Sequence, residues 1–97
     1  MYYSAYGIRR ASERDADELR HLAALDSDRP VRGRVLVASQ RGRILAALSL
    51  DDGHAIADPS KPSAPLVAAL RTRARGIRAH ERSPSLRARV RAALRSA

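Results

Sequence analysis

Three histidines and one pair of aspartates are the residues whose types could support metal binding or acid–base catalysis. His21, His54 and His80 lie far apart in the sequence, without the i, i+4 spacing that places two metal ligands on one helix face. The chain has no Cys, which excludes thiolate nucleophiles and cysteine-ligated zinc. We therefore predict no metal site, and we interpret the histidines as solvated or partly packed side chains.

Asp51 and Asp52 have the types needed for paired carboxylates in general acid–base catalysis. Gly53 follows them directly, and the combination of Asp and Gly is more typical of a tight turn. None of the serines lies in a Gly-x-Ser-x-Gly elbow. The sequence consequently provides no catalytic residue to propose.

Arginines dominate the charge of the chain and concentrate in its last third. Residues 71–97 contain nine Arg and one acid, whereas residues 1–70 are almost neutral within a net charge of +9. Helical spacing would align these candidate contacts to an anion or a nucleic acid in two rows: Arg71, Arg75, Arg78 and Arg82 on one helix, and Arg87, Arg91 and Arg95 on the last helix. Such a row can follow a phosphate backbone, but it also fits a solvated helix face or an Arg-rich composition. No aromatic residue is interleaved to stack bases, so any binding should be weak and independent of sequence.

A chain of 97 residues has room for one hydrophobic core, and that core should be thin. There is no Phe or Trp, and Ala supplies much of the apolar content. The first residues do not form a signal peptide, and no stretch approaches the roughly 18 apolar residues of a membrane span. We therefore expect a cytoplasmic protein without a membrane span.

The first half of the chain predicts a strand, a helix and a meander of strands. A short strand over residues 6–11 leads to Ser12 and Asp15, which form a capping-box pattern, and a helix should run from Glu13 to about Asp26. Its buried stripe should comprise Ala16, Leu19, Leu22 and Ala23, with Leu25 at the margin.

Two apolar strands are predicted over residues 34–39 and 44–50, joined by a hairpin at residues 40–43. Simple alternation in the second strand would place Ile44, Ala46, Leu48 and Leu50 on one face and Leu45, Ala47 and Ser49 on the other. Apolar residues on both faces indicate that helices or another subunit cover both sides of the sheet. A third meander strand is predicted at residues 54–58.

The second half predicts a loop and two helices. Pro59, Pro62 and Pro65 stiffen the loop, although their spacing by three also fits a polyproline II docking segment. The following helix should begin near Ser63 and fray around residues 79–82, with an apolar stripe of Leu66, Val67, Leu70, Ala74 and Ile77. A final short helix should carry Leu86, Val90, Ala93 and Leu94 on one face.

These elements predict an α+β fold: a small antiparallel meander sheet of about four strands with helices packed on it, over residues 1–82. Residues 83–97 would form a basic amphipathic C-terminal helix.

The order of elements and several segments resemble the N-terminal half of the GNAT acetyltransferase superfamily. The similar segments are residues 8–16, in the opening strand and first helical turn, and residues 35–38 and 41–50, in the central hairpin with its glycine turn. The resemblance implies a truncated GNAT-like fold. In that family a glycine-rich loop binds the pyrophosphate of acetyl-coenzyme A through backbone N–H groups. The corresponding residues 58–65 contain three Pro and no Gly, so we predict that no cofactor binds.

The resulting hypothesis is a non-catalytic, GNAT-like structural or interaction protein that self-associates, with a homodimer as the expected form. The unpaired edge of the third meander strand and the amphipathic segment at residues 86–94 both favour association. A basic module that binds nucleic acid through the C-terminal arginines is the alternative, and a divergent acyltransferase completed by a second subunit is a third hypothesis.

Overall fold

The computed structural model describes residues 6–82, with only the backbone at residue 82, together with residues 93 and 94. Within residues 6–82 the chain forms four strands and two α-helices, and a 3₁₀ turn at Glu13–Asp15 precedes the first helix. The elements are β1 (Gly7–Arg10), α1 (Ala16–Leu25), β2 (Val35–Gln40), β3 (Arg43–Ser49), β4 (Ala55–Ala57) and α2 (Ala64–Arg82).

All four strands belong to one antiparallel sheet with the order β1-β2-β3-β4. Each strand pairs with its neighbour in sequence, so the sheet is the predicted meander. The hairpin between β2 and β3 turns through Arg41 and Gly42, whose φ angles of 53° and 79° suit a two-residue turn with a left-handed backbone. The predicted α+β class and its four-stranded sheet are therefore confirmed.

The two helices lie on opposite faces of the sheet and divide the core into two clusters. On one face, Leu22 and Ala23 of α1 pack against Val37 and Ile56. On the other, Leu70 of α2 is fully buried in a cluster with residues of β2 and β3, namely Leu36, Ala38, Leu45, Ala46 and Leu48. The expectation that helices cover both faces is confirmed. In α1, Ala16 and Leu25 of the predicted stripe are exposed.

A bulge in β3 changes the predicted distribution of its side chains. Ala38 pairs with Ala46 and Ser39 pairs with Ile44, so Leu45 has no residue opposite it on β2. Leu45 and Ala46 consequently both pack in the α2 cluster, while Ile44 packs in the α1 cluster. The predicted faces of Ile44 and Leu45 are wrong, because simple alternation does not allow for the extra residue of a bulge.

The start of the first helical segment is organised by Asp15, which is only 7% exposed. Its carboxylate accepts the Ser12 N–H at 2.7 Å and two guanidinium N–H groups of Arg9 at 2.8 and 3.0 Å. The hydrogen bonds from Arg9 and from the Ser12 backbone hold the pKa of Asp15 far below its usual range. The predicted capping box is present, and it also anchors β1 to α1.

The second helix begins where the sequence predicts, since the Ser63 carbonyl accepts the N–H of Val67 at 3.0 Å. It is continuous to Arg82 and shows no interruption over residues 79–82. The predicted C-terminal helix lies outside the described residues except for Ala93 and Leu94, which are helical. Neither α1 nor α2, the helices described over residues 6–82, has the length and apolar content needed to cross a membrane.

Candidate interaction surface

The arginines singled out by their spacing do lie on one continuous helix as far as residue 82. Arg71 donates to the carbonyl of Gly53 at 3.2 Å, and Arg75 donates to the Thr72 hydroxyl at 3.3 Å. Arg78 is half-buried and its Nε is enclosed without a hydrogen-bond partner in the described part of the chain. The hydrogen bonds of Arg71 and Arg75 are thus to neutral groups, and within residues 6–82 neither guanidinium lies at ion-pair distance from a carboxylate.

The remaining members of that set are Arg82, of which the structure describes only the backbone, and Arg87, Arg91 and Arg95, which lie outside the described residues.

The histidines are not brought together. His54 Nε2 lies 3.0 Å from the carbonyl of Arg29 and 3.5 Å from Asp28 Oδ1. His21 is on α1 and His80 is on α2, both exposed. Over residues 6–82, no group of three or more His, Asp or Glu side chains has an arrangement able to hold a metal ion.

Asp51 and Asp52 lie in the connection between β3 and β4, and both accept backbone hydrogen bonds. Asp51 accepts the backbone N–H of Arg34 at 2.7 Å and its Nε at 3.0 Å, while Asp52 accepts the backbone N–H of His54 at 2.9 Å. These backbone hydrogen bonds, from Arg34 and His54 respectively, are the main cause of the lowered pKa of each carboxyl group. Both groups are therefore ionised at neutral pH, in keeping with the turn interpretation.

The proline-containing loop is organised around Asp58. Its carboxylate accepts the Ser60 hydroxyl at 2.7 Å and the Ser60 N–H at 2.9 Å, and its carbonyl accepts the Lys61 N–H at 3.2 Å. The hydrogen bond from the Ser60 hydroxyl is the largest cause of the lowered pKa of Asp58. Two loop N–H groups are consequently engaged by the protein itself.

The outer edge of β4 is the edge that the sequence predicts to be unpaired. Asp26, at the end of α1, accepts the Ala57 N–H at 3.0 Å through its Oδ2. A carboxylate that covers an edge donor reduces the capacity of that edge to pair with another strand. The β4 edge is therefore partly protected, while the predicted dimer stays a prediction.

An apolar concavity lies at the opposite end of the sheet, between β1 and the second half of α2. We define this β1–α2 groove by Ile8, Arg10, Leu36, Arg73, Ile77 and His80, with Arg9, Thr72, Gly76 and Glu81 completing its described lining. Arg9 and Glu81 are both ion-paired, with Asp15 and Arg34 respectively. It consists of two adjoining cavities of about 230 and 540 Å³ that share Arg73 and Ile77. Ile8 and Ile77 belong to the rim of the α2 cluster and are only partly buried.

Arg10 and Arg73 face this groove from its two sides, and both are exposed. The pairing of Arg10 with Leu36 and of Ile8 with Ala38 places Arg10 and Ile8 on the α2 side of the sheet. Within residues 6–82, neither Arg10 nor Arg73 has a carboxylate at ion-pair distance. By contrast, Arg9 is paired with Asp15.

A third cavity of about 630 Å³ lies on the α1 side and includes Arg20 and Arg34. Both arginines are engaged there, Arg20 with Asp17 and Arg34 with Asp51 and Glu81. Arg10 lines this third cavity as well as the β1–α2 groove. The groove differs by adding Arg73, a second arginine without a carboxylate at ion-pair distance within residues 6–82.

This groove is not predictable from sequence spacing. The i, i+4, i+7 spacing of Arg73, Ile77 and His80 was visible, but it crosses from the apolar stripe into the polar face of the helix. The contribution of Ile8 and Arg10 depends on strand register, which spacing does not reveal.

No protein-family model, curated protein or solved structure matches this chain.

Proposed function

We propose that this chain is a non-catalytic interaction protein with a truncated GNAT-like fold, which self-associates. The β1–α2 groove is the observation that carries the interaction role, and self-association stays a prediction for the test below. It leaves the apolar side chains of Ile8 and Ile77 partly open to solvent at the margin of the main core. Open apolar concavities of this kind are typical of binding surfaces.

The engagement of the carboxylates supports the non-catalytic part of the proposal. Asp51, Asp52 and Asp58 accept backbone hydrogen bonds, and each has a lowered pKa, whereas a general acid at neutral pH needs a raised one.

The loop around Asp58 supports the absence of acetyl-coenzyme A binding. A phosphate cradle offers free backbone N–H groups, but those of Ser60 and Lys61 are bonded to Asp58. The Asp58 carboxylate also repels a pyrophosphate group.

Titration calorimetry of the full chain with acetyl-coenzyme A tests the non-catalytic proposal. We expect no binding, and a dissociation constant at or below about 100 μM would contradict it. Light scattering at micromolar concentration tests self-association. A mass near twice 10.6 kDa is the expected result, and a mass near 10.6 kDa would exclude the dimer.

Nucleic-acid binding is the second candidate function. The observation that favours it is the bonding of Arg71 and Arg75 to neutral groups, which leaves two guanidinium charges available to phosphates on one side of α2. Such contacts are independent of base sequence and weaken steeply with salt.

A further inference from the structure

The β1–α2 groove has an apolar floor between two sides that each carry an arginine without a carboxylate partner in residues 6–82, while Glu81 on the α2 side is paired with Arg34. Leu36 is 3% exposed and lies at the bottom, with Ile8 and Ile77 partly exposed beside it. Arg10 approaches from the strand and Arg73 from the helix. A ligand that fits must bury apolar side chains and place negative charge on both flanks.

The position of the groove suits a helix. α2 packs over β2 and β3, and β1 continues the same face of the sheet beyond it. Helices that pack side by side lie about 8–10 Å apart, so a second helix over β1 would contact the side of α2 formed by Arg73, Ile77 and His80.

Charge decides which helix can occupy this position. Residues 83–97 of this chain contain four Arg and no acidic residue, so they carry the same sign of charge as Arg10 and Arg73. Leu94 in that segment is 72% exposed, rather than buried in an apolar groove. The C-terminal segment, from this copy or a second one, is therefore a poor match in charge.

A nucleic acid is also a poor match for the floor. No Tyr, Phe or Trp is among the described residues that line the groove, so no such ring is available there to stack on a base. A phosphate backbone would satisfy the arginines but leave Ile8 and Ile77 uncovered.

We propose that the β1–α2 groove binds an acidic amphipathic helix of a partner protein, an inference that rests on the interaction role proposed above. The apolar face of the partner helix covers Ile8, Leu36 and Ile77. Its Asp or Glu side chains pair with Arg10 and Arg73.

The probe is a fluorescein-labelled helical peptide of about 16 residues with Leu at i, i+3, i+4 and i+7 and Glu elsewhere. Fluorescence anisotropy with the full chain at about 0.15 M salt should show saturable binding. A peptide with Lys in place of Glu, a Glu-only peptide and a single-stranded DNA should each bind at least about tenfold more weakly. Failure of the Leu–Glu peptide to bind, or equal binding of any of the other three, would overturn the proposal.

A matched pair of charge reversals locates the site. Arg73→Glu should weaken binding of the Leu–Glu peptide about tenfold, while Arg75→Glu, the same change on the other side of α2, should leave it unchanged. Equal losses for both variants would indicate a diffuse charge effect and overturn the proposal.

A second pair tests the groove without changing charge. A side chain at Gly76 would enter open space in the groove, so Gly76→Leu should obstruct the peptide. Ala68→Leu, at an exposed position of the same helix, is the control. Because Leu is a better helix former than Gly, loss of folding is not expected. Unchanged peptide binding by Gly76→Leu would contradict the site.

Synthetic residues 83–97 provide the final comparison. Binding of that peptide more tightly than the Leu–Glu peptide would assign the groove to the chain's own C-terminal segment and overturn the inference. The proposed non-catalytic interaction role would survive that result. Its own test is the calorimetric experiment, in which binding of acetyl-coenzyme A would contradict it.

Discussion

Asp26 Oδ2 accepts the N–H of Ala57 at 3.0 Å, which fastens the end of α1 to the outer edge of β4. Asp26→Ala removes this acceptor and leaves a partly buried donor without its partner, so we expect a loss of about 1–3 kcal/mol of unfolding free energy. Urea denaturation measures it, and hydrogen exchange should show reduced protection of the Ala57 amide. Asp17→Ala is the control, because that side chain is 93% exposed and its loss should cost less than about 0.5 kcal/mol.

The ion pair between Asp15 and Arg9 predicts an acid-sensitive contribution to stability. Hydrogen bonding to Arg9 lowers the pKa of the Asp15 carboxyl in the folded protein, so the ionised carboxylate stabilises the fold at pH values above its ordinary pKa of 3.8. That contribution is lost progressively as the pH falls below 3.8 toward the folded-state pKa. Asp15→Asn should cost about 2–3 kcal/mol at pH 7 and make the acid limb of a stability–pH profile shallower. A profile parallel to that of the unmodified chain would show that Asp15 is not responsible.

Gly33 should tolerate substitution least among the glycines with positive φ. At its φ of 74° an added Cβ would overlap Asp51 Oδ2, which accepts the Arg34 N–H. We expect Gly33→Ala to destabilise the protein by about 2–3 kcal/mol, through backbone strain and displacement of Asp51. Gly42→Ala, with a similar φ but no atom within 4 Å, should cost about 1 kcal/mol. Thermal unfolding of the two variants measures the difference, and equal losses would exclude the role given to Asp51.

The alternative nucleic-acid function predicts a specific effect of Arg71 and Arg75. If this side of α2 contacts phosphates, the double variant Arg71→Gln/Arg75→Gln should weaken binding of the full chain to duplex DNA and reduce the slope of log affinity against log salt by about 1–2. Arg10→Gln/Arg73→Gln, which removes the same charge from the β1–α2 groove, is the matched control. Electrophoretic mobility shifts at several salt concentrations provide the measurement. No detectable binding at low salt would eliminate this function.

The fold was predictable because its main signals are local. Ser12 and Asp15 mark the start of a helical segment, and Arg41 with Gly42 marks a two-residue turn. The β3 bulge was not predictable, because Ile44 and Leu45 are both apolar and either side chain can be buried on either face of the sheet. Which of them faces α1 depends on the register with β2, a relationship between strands that alternation within one strand does not encode.

The candidate site was harder to predict than the fold. Helical spacing placed Arg71 and Arg75 on one side of α2, and the continuous helix agrees with that placement. The same spacing could not show that Arg73 lies opposite Arg10, because the two are 63 positions apart and meet only through the packing of α2 on the sheet. Their lack of carboxylate partners within residues 6–82 also depends on where the acidic residues fold.

The small side chains at the centre of the sheet determine how stability responds to temperature. Ala38, Ala46 and Ala47 are fully buried, and no Phe or Trp contributes to the core. Each buried alanine removes little apolar surface from water, so the heat-capacity increase on unfolding should fall below the usual 12–15 cal/mol/K per residue, or roughly 1.2–1.5 kcal/mol/K for about 100 residues. A small heat-capacity change flattens the dependence of unfolding free energy on temperature. Cooling should therefore erode the stability of this sheet less than it does in proteins whose cores are filled by large side chains.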